Sequence, residues 1–575
     1  MPRYEIQYAE HHEEVQIYRL KLQFKKYMAF YLSCYKQQQK ENLSALITLI
    51  LKKIICLPVL LCLFLSSCKW FRSTPEVGTV LTEHFRNKLY KEFDTAAYNL
   101  VFRQHLDSLK PILSNVKTIG SFYADDGRKA AFVTRFFANG ALDTLKAYLG
   151  RSREHGFNPE IFGYTAVDKL LSDLKKNKFK KISEVYPVIA DLELRSASAL
   201  LKYDTFVGYG SINPRKTLNR YYVNVIRPDS LSMGKVLSTA DMADLLRSIQ
   251  PASEDYRTLQ RNLQKLQEAP EINASAIKTI VVNMERLRWK LPDLGEEYVE
   301  VNIPDFSLTW FKKQDTVMHM KVCVGGRREQ GYEEKLKTYL KTHALDDKPK
   351  NHQTPILISK FNAIQVNPIW NIPVSIAKSE IYYQALRDPY YLSNNNMKVY
   401  YKGQLVGDPD TIQWGKYSRE KLPFQFKQGS GEGNALGKFK FIFANNSSIY
   451  LHDTNNKSAF GRANRAISHG CVRVERPLEF AEKLVDDKYQ YDQLRMEVNL
   501  PPVDTAKMDL FKRKMAKKAD TLNLFQLKPK WFGTKKNVSV FINYKTAWVD
   551  NGTVIYRADV YGLDENLYDA MKKYK

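Results

Sequence analysis

The spacing of apolar residues changes near Pro292, and this change constrains the fold more than any other feature of the sequence. Before it, residues 77–291 carry apolar side chains at steps of three and four, as in 189–203 and 277–287, which predicts a helical domain. After it, apolar and polar residues alternate, as in 318–324, which predicts strands. The expected fold class is therefore α+β and multidomain, with an N-terminal helical scaffold domain followed by a mostly β domain.

The second domain is expected to combine a sheet with a helix and a C-terminal hairpin. Phenylalanines alternate across residues 439–443, and residues 449–451 form the end of another strand. Pro477 predicts the first turn of a helix. Asn551-Gly552 is a favoured two-residue turn and predicts a β-hairpin.

Residues 380–433 are rich in tyrosine, asparagine and glycine and have no clean period. We interpret them as an excursion from the sheet that forms a capping loop or lid. Gly429, Gly431 and Gly433 are its expected hinges, because glycine tolerates the backbone changes that a hinge needs. The predicted segments are a mis-assigned extension over 1–50, a signal peptide over 51–67, the helical scaffold over 68–291, the second domain over 292–500, and an extension over 501–575 whose hairpin completes that domain.

The N-terminal region predicts export. A strongly apolar run, residues 54–65, follows two lysines and precedes Ser66-Ser67-Cys68; it is too short to span a bilayer comfortably and is typical of a secretory signal. Its last four residues resemble a bacterial lipobox, so we expect lipid on Cys68 and a translation start at Leu51. A lysine follows that cysteine, in place of the aspartate that retains some lipoproteins at the inner membrane. We therefore expect a periplasmic protein held at the outer membrane by its lipid.

Charge and cysteine content exclude several classes of protein. The 88 lysines and arginines exceed the 62 acidic residues, which gives a net charge of +26 and favours an anionic partner, whether nucleic acid, an acidic membrane or an envelope polymer. The basic runs 175–181 and 512–518 are interpreted as solvated helix ends, and nucleic acid is not an expected partner. Six cysteines in 575 residues are far too few for a disulfide scaffold.

The densest group of reactive side chains includes His452 and Cys471. A thiol is a nucleophile as its thiolate, and a neighbouring imidazole can accept its proton. His452 ends a predicted strand and Cys471 precedes a predicted helix, so adjacent elements can bring the two together. The helix N-terminus favours the thiolate, and the backbone N–H groups of Gly470 and Cys471 can hold a developing oxyanion.

The residues alone leave three other interpretations open. Cys471 can be an inert buried thiol. His452, His469 and Cys471 can bind zinc, although a fourth ligand and the familiar spacing are missing. His469 can also be a packed histidine with no chemical role.

Residues 468–473, Ser-His-Gly-Cys-Val-Arg, follow His452 after fifteen intervening residues. This pattern resembles the signature of the L,D-transpeptidase family, whose catalytic domain is of the YkuD type. Further segments resemble the large multidomain branch of the family, which has a helical scaffold and a capping loop. These segments are 283–286, 301–304, 367–373, 433–437 and 544–549.

The resemblance implies acyl transfer on peptidoglycan stem peptides. Cys471 would attack the carbonyl of the diamino acid at position three, release the terminal D-alanine and form a thioester. A second stem as acceptor would give a 3-3 cross-link. His452 would be the base, oriented by the backbone carbonyl of Asp453, and His469 and Gly470 would shape the oxyanion hole with Cys471.

The candidate substrate-binding residues are Arg473, Ser468, Asn434 and Tyr450. The resemblance implies no cofactor and no metal, and the glycine-rich run 433–437 fails the phosphate-loop pattern. It also implies covalent inhibition by carbapenems.

Two alternatives belong to other classes of function. With water as acceptor the protein would be an L,D-carboxypeptidase or a cysteine peptidase, and with a degenerate site it would be a non-catalytic envelope scaffold. Large relatives carry a small peptidoglycan-binding module between scaffold helices. Only a short link joins Leu259 to Ile277, so that module is not expected here.

Overall fold

The structure is a computed structural model, and the residues that it describes are 75–485, 487–519 and 527–575, with Lys25, Lys26 and Met28. The predicted signal peptide over 51–67 and the lipid-bearing Cys68 lie outside the described residues, as does nearly all of the extension over 1–50. Within the described ranges, no helix is long and apolar enough to cross a membrane. Residues 76–575 form one compact unit.

The first part of this unit is helical, as its three- and four-residue spacing predicts. Its α-helices are α1 Glu76–Phe85, α2 Thr95–Leu109, α3 Val116–Phe122, α4 Ala131–Phe136, α5 Ala141–Gly150, α6 Tyr164–Lys176, α7 Val185–Tyr203, α8 Pro214–Thr217, α9 Ser230–Leu237, α10 Met242–Ile249, α11 Glu254–Glu268 and α12 Ala274–Arg288. Helix α7 lies at the centre and is buried on most of its surface. Asp94 and Asn273 cap α2 and α12 by accepting their first backbone N–H groups. Residues 269–273 join α11 directly to α12.

The basic runs lie on helices of this unit. The run 175–181 begins in the last turn of α6, where Lys175 lies 2.6 Å from Asp143. The run 512–518 belongs to a later helix, Met508–Ala519, where Lys514 forms an ion pair with Glu497.

The second part is built on a large sheet. Its strands, with those of two smaller sheets, are β1 Glu297–Asn302, β2 Ser307–Lys312, β3 Asp315–Gly325, β4 Leu357–Val366, β5 Trp370–Asn371, β6 Met397–Tyr401, β7 Gln404–Leu405, β8 Phe424–Gln428, β9 Phe439–Phe443, β10 Leu451–His452, β11 Ala466–Ser468, β12 Val472–Val474, β13 Lys530–Phe532, β14 Ser539–Asn543, β15 Ala547–Asp550 and β16 Thr553–Tyr556. The large sheet has the order β11-β3-β12-β10-β9-β4-β14-β1-β2, and β13 pairs with β4. Strand β2 also pairs with β3, so the sheet closes on itself.

The remaining helices are α13 Tyr332–Thr342, α14 Val374–Ile376, α15 Tyr382–Arg387, α16 Tyr391–Asn394, α17 Pro477–Leu484, α18 Lys488–Glu497, α19 Met508–Ala519 and α20 Leu563–Met571. Helix α17 begins at Pro477 as predicted and fills the inside of the closed sheet. Its Phe480 is fully buried and contacts the rings of Trp310, Phe361 and Phe441. The α+β fold class is therefore confirmed, with the helical part before the mostly β part.

The alternation predicted for 318–324 holds with one exception. Met318, Met320 and Val322 are buried on the expected face of β3. Cys323, expected on the polar face, is buried as well. It packs with Ala459 and Phe460, which cover this end of the other face.

The capping segment is a small folded cap inserted between β4 and β9. It begins at Trp370, earlier than the predicted start at residue 380, and contains α14 to α16 and a separate sheet in the order β5-β8-β6-β7. Trp414 and Phe426 are buried in its own apolar core, and Tyr382 packs against that core. Its strands and helices are too short to show a clear period in the sequence.

The C-terminal hairpin forms at the predicted turn, where Asn551 and Gly552 both have positive φ angles of 47° and 78°. Among the described residues, strands β15 and β16 pair only with each other and form their own two-stranded sheet. The segment enters the large sheet through β14, which lies between β1 and β4. The chain leaves β14 after Asn543, and the predicted hairpin follows as a separate two-stranded sheet.

A buried polar network joins the helical part to the C-terminal segment. The Asn283 side chain on α12 donates to the Thr546 hydroxyl at 2.7 Å and accepts the Thr546 N–H at 3.1 Å. Arg286 lies 2.7 Å from Asp564 of α20, and both side chains are buried. One continuous apolar core runs from Val77 to Met571 through both parts, so the sheet is supported by the scaffold.

Candidate active site

The turn before β12 is held by a serine. The Ser468 hydroxyl donates to the Cys471 carbonyl at 2.6 Å and accepts the Gly470 N–H at 3.1 Å. Gly470 has a φ angle of 124°, a conformation that glycine tolerates and other residues rarely adopt. The Gly470 carbonyl accepts the hydroxyl of Thr354 at 2.8 Å. Ser468 is buried, and in this structure it shapes the turn.

Strand pairing places the candidate residues on one face of the sheet. Strands β10 and β12 are parallel, with Leu451 opposite Val472 and His452 opposite Arg473. The Val472 N–H donates to the Tyr450 carbonyl at 3.2 Å, so Cys471 lies beside Tyr450. Because side chains alternate along a strand, Tyr450, His452, Cys471 and Arg473 project to the same side.

His452 is buried, and its Nδ1 is hydrogen-bonded to the backbone carbonyl of Asp453. A carbonyl only accepts, so Nδ1 carries the proton and Nε2 has a free lone pair. Burial and the positive charge of Arg473 lower the pKa of His452 to about 3. The imidazole is therefore neutral at physiological pH.

The Asp453 carboxylate anchors the loop behind this imidazole. It accepts the backbone N–H groups of Lys438 and Thr454 at 2.8 and 2.7 Å and forms an ion pair with Lys457. A side chain at Gly437 would overlap with this carboxylate. The sequence predicts that Asp453 orients His452 through its carbonyl, and the structure places the carbonyl at Nδ1.

Cys471 is a half-buried free thiol. Burial raises its pKa, while hydrogen bonds from Tyr450 and the positive charges of Lys440 and Arg220 act in the opposite direction. Burial and this contact with Cys471 raise the pKa of Tyr450. Within the described ranges, no hydrogen bond joins the thiol to His452; its hydrogen-bond partner is Tyr450.

Lys440 is a residue that the sequence reasoning missed. It lies directly opposite His452 in the pairing of β9 with β10, so Arg473, His452 and Lys440 form a row across three strands. Its Nζ lies 3.9 Å from the centre of the Tyr450 ring. The alternation of phenylalanines in 439–443 contains the signal, because buried phenylalanines on one face place Lys440 on the other.

The side chain of His469 faces the cap. Its Nε2 lies 2.5 Å from Glu380, and its ring centre lies 4.4 Å from that of His352. The Gly470 N–H is already bonded to Ser468. The expected contribution of His469 and Gly470 to an oxyanion hole stays a prediction. In the part of the chain that the structure describes, the Cys471 N–H has no hydrogen-bond partner.

Asn434 lies at the base of the cap and is buried. Its side chain donates to the carbonyls of Pro368 and Gly429 at 3.0 and 2.8 Å and accepts the Leu436 N–H at 2.7 Å. The neighbouring Ser430 donates to the Asn367 carbonyl at 2.6 Å. These bonds join the segment through which the chain enters the cap to the segment through which it leaves. The Asn434 amide group thus donates and accepts within this tie, and its expected contact with substrate stays a prediction.

Arg473 is half-buried, and burial lowers its pKa. Its Nε has no hydrogen-bond partner among the described residues, which leaves a donor on the active face. No cluster of three or more histidine, cysteine, aspartate or glutamate side chains in the described ranges has metal-binding geometry.

Comparisons with known proteins identify both parts of the unit. The family model of the L,D-transpeptidase catalytic domain, YkuD, matches residues 296–498, and that of the Scaffold domain matches residues 117–263. The chain is 27% identical over 356 residues to a putative L,D-transpeptidase of Haemophilus influenzae, covering 60% of this chain and 62% of that protein. The match thus spans less than two thirds of the length of this relative. Residues 296–498 are therefore an L,D-transpeptidase catalytic domain of the YkuD type, preceded by a Scaffold domain over residues 117–263.

Proposed function

We propose that the protein is a peptidoglycan L,D-transpeptidase that forms 3-3 cross-links through a thioester on Cys471 and releases D-alanine. The observation that carries this proposal is the shared face of Cys471 and His452, with the neutral imidazole oriented by the Asp453 carbonyl. Family membership supports the same reaction class. A nucleophile, a base and an orienting group are the parts that acyl transfer needs.

The first half-reaction makes the thioester. Nε2 of His452 takes the proton of the Cys471 thiol, and the sulfur attacks the carbonyl carbon at stem position three. The carbon–nitrogen bond to D-alanine breaks, and the protonated imidazole returns its proton to the leaving amine. Arg473 and Lys440 flank His452, and their charges favour a quick return of that proton.

The second half-reaction resolves the thioester. The side-chain amine of a second stem attacks the same carbonyl, His452 accepts the amine proton, and the Cys471 thiol is restored. The Cys471 N–H and the Tyr450 hydroxyl are the donors best placed to stabilise the oxyanion in both steps. With water in place of the amine, the same steps give an L,D-carboxypeptidase or peptidase.

Product masses test the proposal. The wild-type protein over residues 69–575 and its Cys471→Ala variant are incubated with disaccharide tetrapeptides. Dimers that lack one D-alanine, formed by the wild type alone, support transpeptidation. Tripeptide monomers alone would make the protein a carboxypeptidase, and unchanged substrate would favour a non-catalytic scaffold.

Carbapenems are proposed as covalent inhibitors, because a β-lactam carbonyl can acylate the same thiol. Incubation with a carbapenem should add one molecule's mass to the wild-type protein and none to Cys471→Ala. An active enzyme without this adduct would contradict the proposal.

We further propose that the protein is exported and held in the periplasm, at the outer membrane, by lipid on Cys68. The basic, apolar and small-residue segments over 51–67 support this. In the native host, Cys68→Ala should abolish labelling by a fatty acid and release the protein from the membrane fraction. Unchanged labelling would contradict the proposal.

A further inference from the structure

Lys440 is an uncompensated cation beside the nucleophile. Its strand pairing with His452 puts it on the active face, and its Nζ packs over the ring of Tyr450. It is half-buried, and burial lowers its pKa. Among the described residues, no carboxylate lies within ion-pair distance of Lys440, and no hydrogen bond is made by its Nζ.

The acidic groups nearest to the site are engaged elsewhere. The Asp453 carboxylate is bonded to Lys457 and to the N–H groups of its own loop. Glu380 of the cap is bonded to His469. When charged, Lys440 therefore lies half-buried on the active face without a counter-ion among the described residues, which costs free energy until an anion binds.

The scaffold adds to this positive field. Arg220 is half-buried, and its carbonyl accepts the Ile356 N–H at 3.0 Å. This places its segment alongside residues 354–356, whose Thr354 bonds to Gly470. The charge of Arg220 acts on the Cys471 thiol together with that of Lys440.

We propose that Lys440 binds the terminal carboxylate of the donor stem peptide, on the residue that leaves when Cys471 attacks. This inference rests on the proposed function. Consecutive Cα atoms of a peptide are 3.8 Å apart, so the carboxylate of the leaving residue lies within one residue length of the scissile carbonyl. A cation on the same face as the nucleophile can therefore bind this carboxylate. Lys440 then selects donors that end one residue after the scissile bond.

Binding to an inactive protein tests this without turnover. In the Cys471→Ala background, calorimetry compares a tetrapeptide stem with its C-terminal carboxamide and with the same stem amidated on the side-chain carboxylate of its diamino acid. We expect the C-terminal carboxamide to bind about 10- to 100-fold more weakly than the free acid, the usual range for a charge-assisted hydrogen bond. Lys440→Met should remove this preference.

Lys427→Met is the matched control, because Lys427 is also half-buried and packs 4.4 Å from a tyrosine ring, that of Tyr400 in the cap. It should keep the full preference for the free acid. Lys440→Arg should keep most of it, which also shows that the position tolerates substitution.

A Lys440→Met protein that still prefers the free acid would overturn the inference. So would a variant that loses discrimination only against the side-chain amide, or a Lys440→Met protein with Cys471 intact that changes only the pH profile of thiol alkylation. If the stems bind without preference and the protein with Cys471 intact cross-links them, the inference fails and the proposed function stands. If no stem is bound or turned over, both fail.

Discussion

The low pKa of His452 explains why the base of this site stays unprotonated. Arg473 and Lys440 flank the imidazole in the sheet, and burial and these charges disfavour the protonated form. The Cys471 thiol is neutral for a related reason, because burial raises its pKa. The resting site therefore holds a neutral imidazole and a neutral thiol.

A second buried histidine makes the scaffold sensitive to acid. Burial and the charge of Arg288 lower the pKa of His155 to about 3, and its Nδ1 lies 2.8 Å from the Tyr256 hydroxyl. Below about pH 6.5 this histidine binds a proton in the unfolded chain, whereas in the folded protein it binds one only near pH 3. The free energy of unfolding therefore falls as the pH falls towards 3. The loss at pH 5 is about 2 kcal/mol for this residue.

We therefore expect His155→Gln to flatten the pH dependence of the free energy of unfolding between pH 7.5 and 5, measured by urea denaturation. The exposed His343 is the control, and His343→Gln should leave the dependence unchanged. Equal slopes for the wild type and His155→Gln would refute the assignment.

Among the secondary-structure elements, β3 passes so close to the Ser468–Cys471 turn that no side chain fits between the two backbones. A Cβ atom at Gly325 would overlap with the His352 carbonyl and lie 2.9 Å from the Gly470 Cα. The Gly325 N–H also donates to the Thr354 hydroxyl at 2.8 Å. The closeness of these backbones fixes the nucleophile's turn.

Gly325→Ala should cost about 3 kcal/mol of stability and lower the rate of product formation. Gly326→Ala is the neighbouring control, because its nearest atom would lie 3.6 Å away, and it should behave as the wild type. Thermal denaturation and product assays compare them. A fully stable and active Gly325→Ala protein would show that this contact does not hold the turn.

The cap depends on the tie at its base. Asn434→Ala leaves the Leu436 N–H and two carbonyls without their partners, at a cost of about 2 kcal/mol. Limited proteolysis should then cut the cap faster. Asn395→Ala is the control, because Asn395 is an exposed residue of the cap whose side chain, among the described residues, bonds only to the Tyr391 carbonyl. This variant should be cut at the wild-type rate. Equal rates for both variants would count against the tie.

The sequence predicts those elements whose apolar residues keep a regular spacing, and those residues that belong to a short motif. The apolar spacing in 189–203 indicates a helix and that in 439–443 a strand, and residues 468–473 indicate the turn that carries the nucleophile. The cap's internal sheet is missed because its strands are short. Lys440 is missed because its importance comes from its pairing with His452, and the pairing of strands depends on the tertiary structure.

The hydrogen-bond partners of Asn434 and His469 could not be predicted from the sequence for the same reason. Both lie near the motif along the chain, yet their partners are Pro368 and Glu380, tens of residues away. Proximity to a motif predicts a place near the site, and the hydrogen bonds decide what the side chain does there.

Across the molecule, scaffold and sheet share one core and a buried ion pair. Arg286 and Asp564 are both buried, and the adjacent Glu565 forms an exposed pair with Lys278 of the same helix α12. This arrangement provides a matched comparison of the two kinds of contact. It also places the scaffold's stability and the catalytic sheet's stability in one network.

Asp564→Asn should lower the free energy of unfolding by about 3 kcal/mol, because it leaves Arg286 buried without its counter-ion. Glu565→Gln should cost less than about 1 kcal/mol. Urea denaturation followed by circular dichroism measures both. Similar losses for the two variants would contradict the view that the buried pair joins the two parts.

The most direct measurement is the mass of the acyl-enzyme. The wild-type protein is mixed with a disaccharide tetrapeptide without acceptor, quenched in acid, digested and examined by mass spectrometry. We expect a disaccharide-tripeptide acyl group on the peptide that contains Cys471, with D-alanine released and no adduct on Cys471→Ala. Turnover by Cys471→Ala, or an acyl group on Cys323 instead, would contradict it.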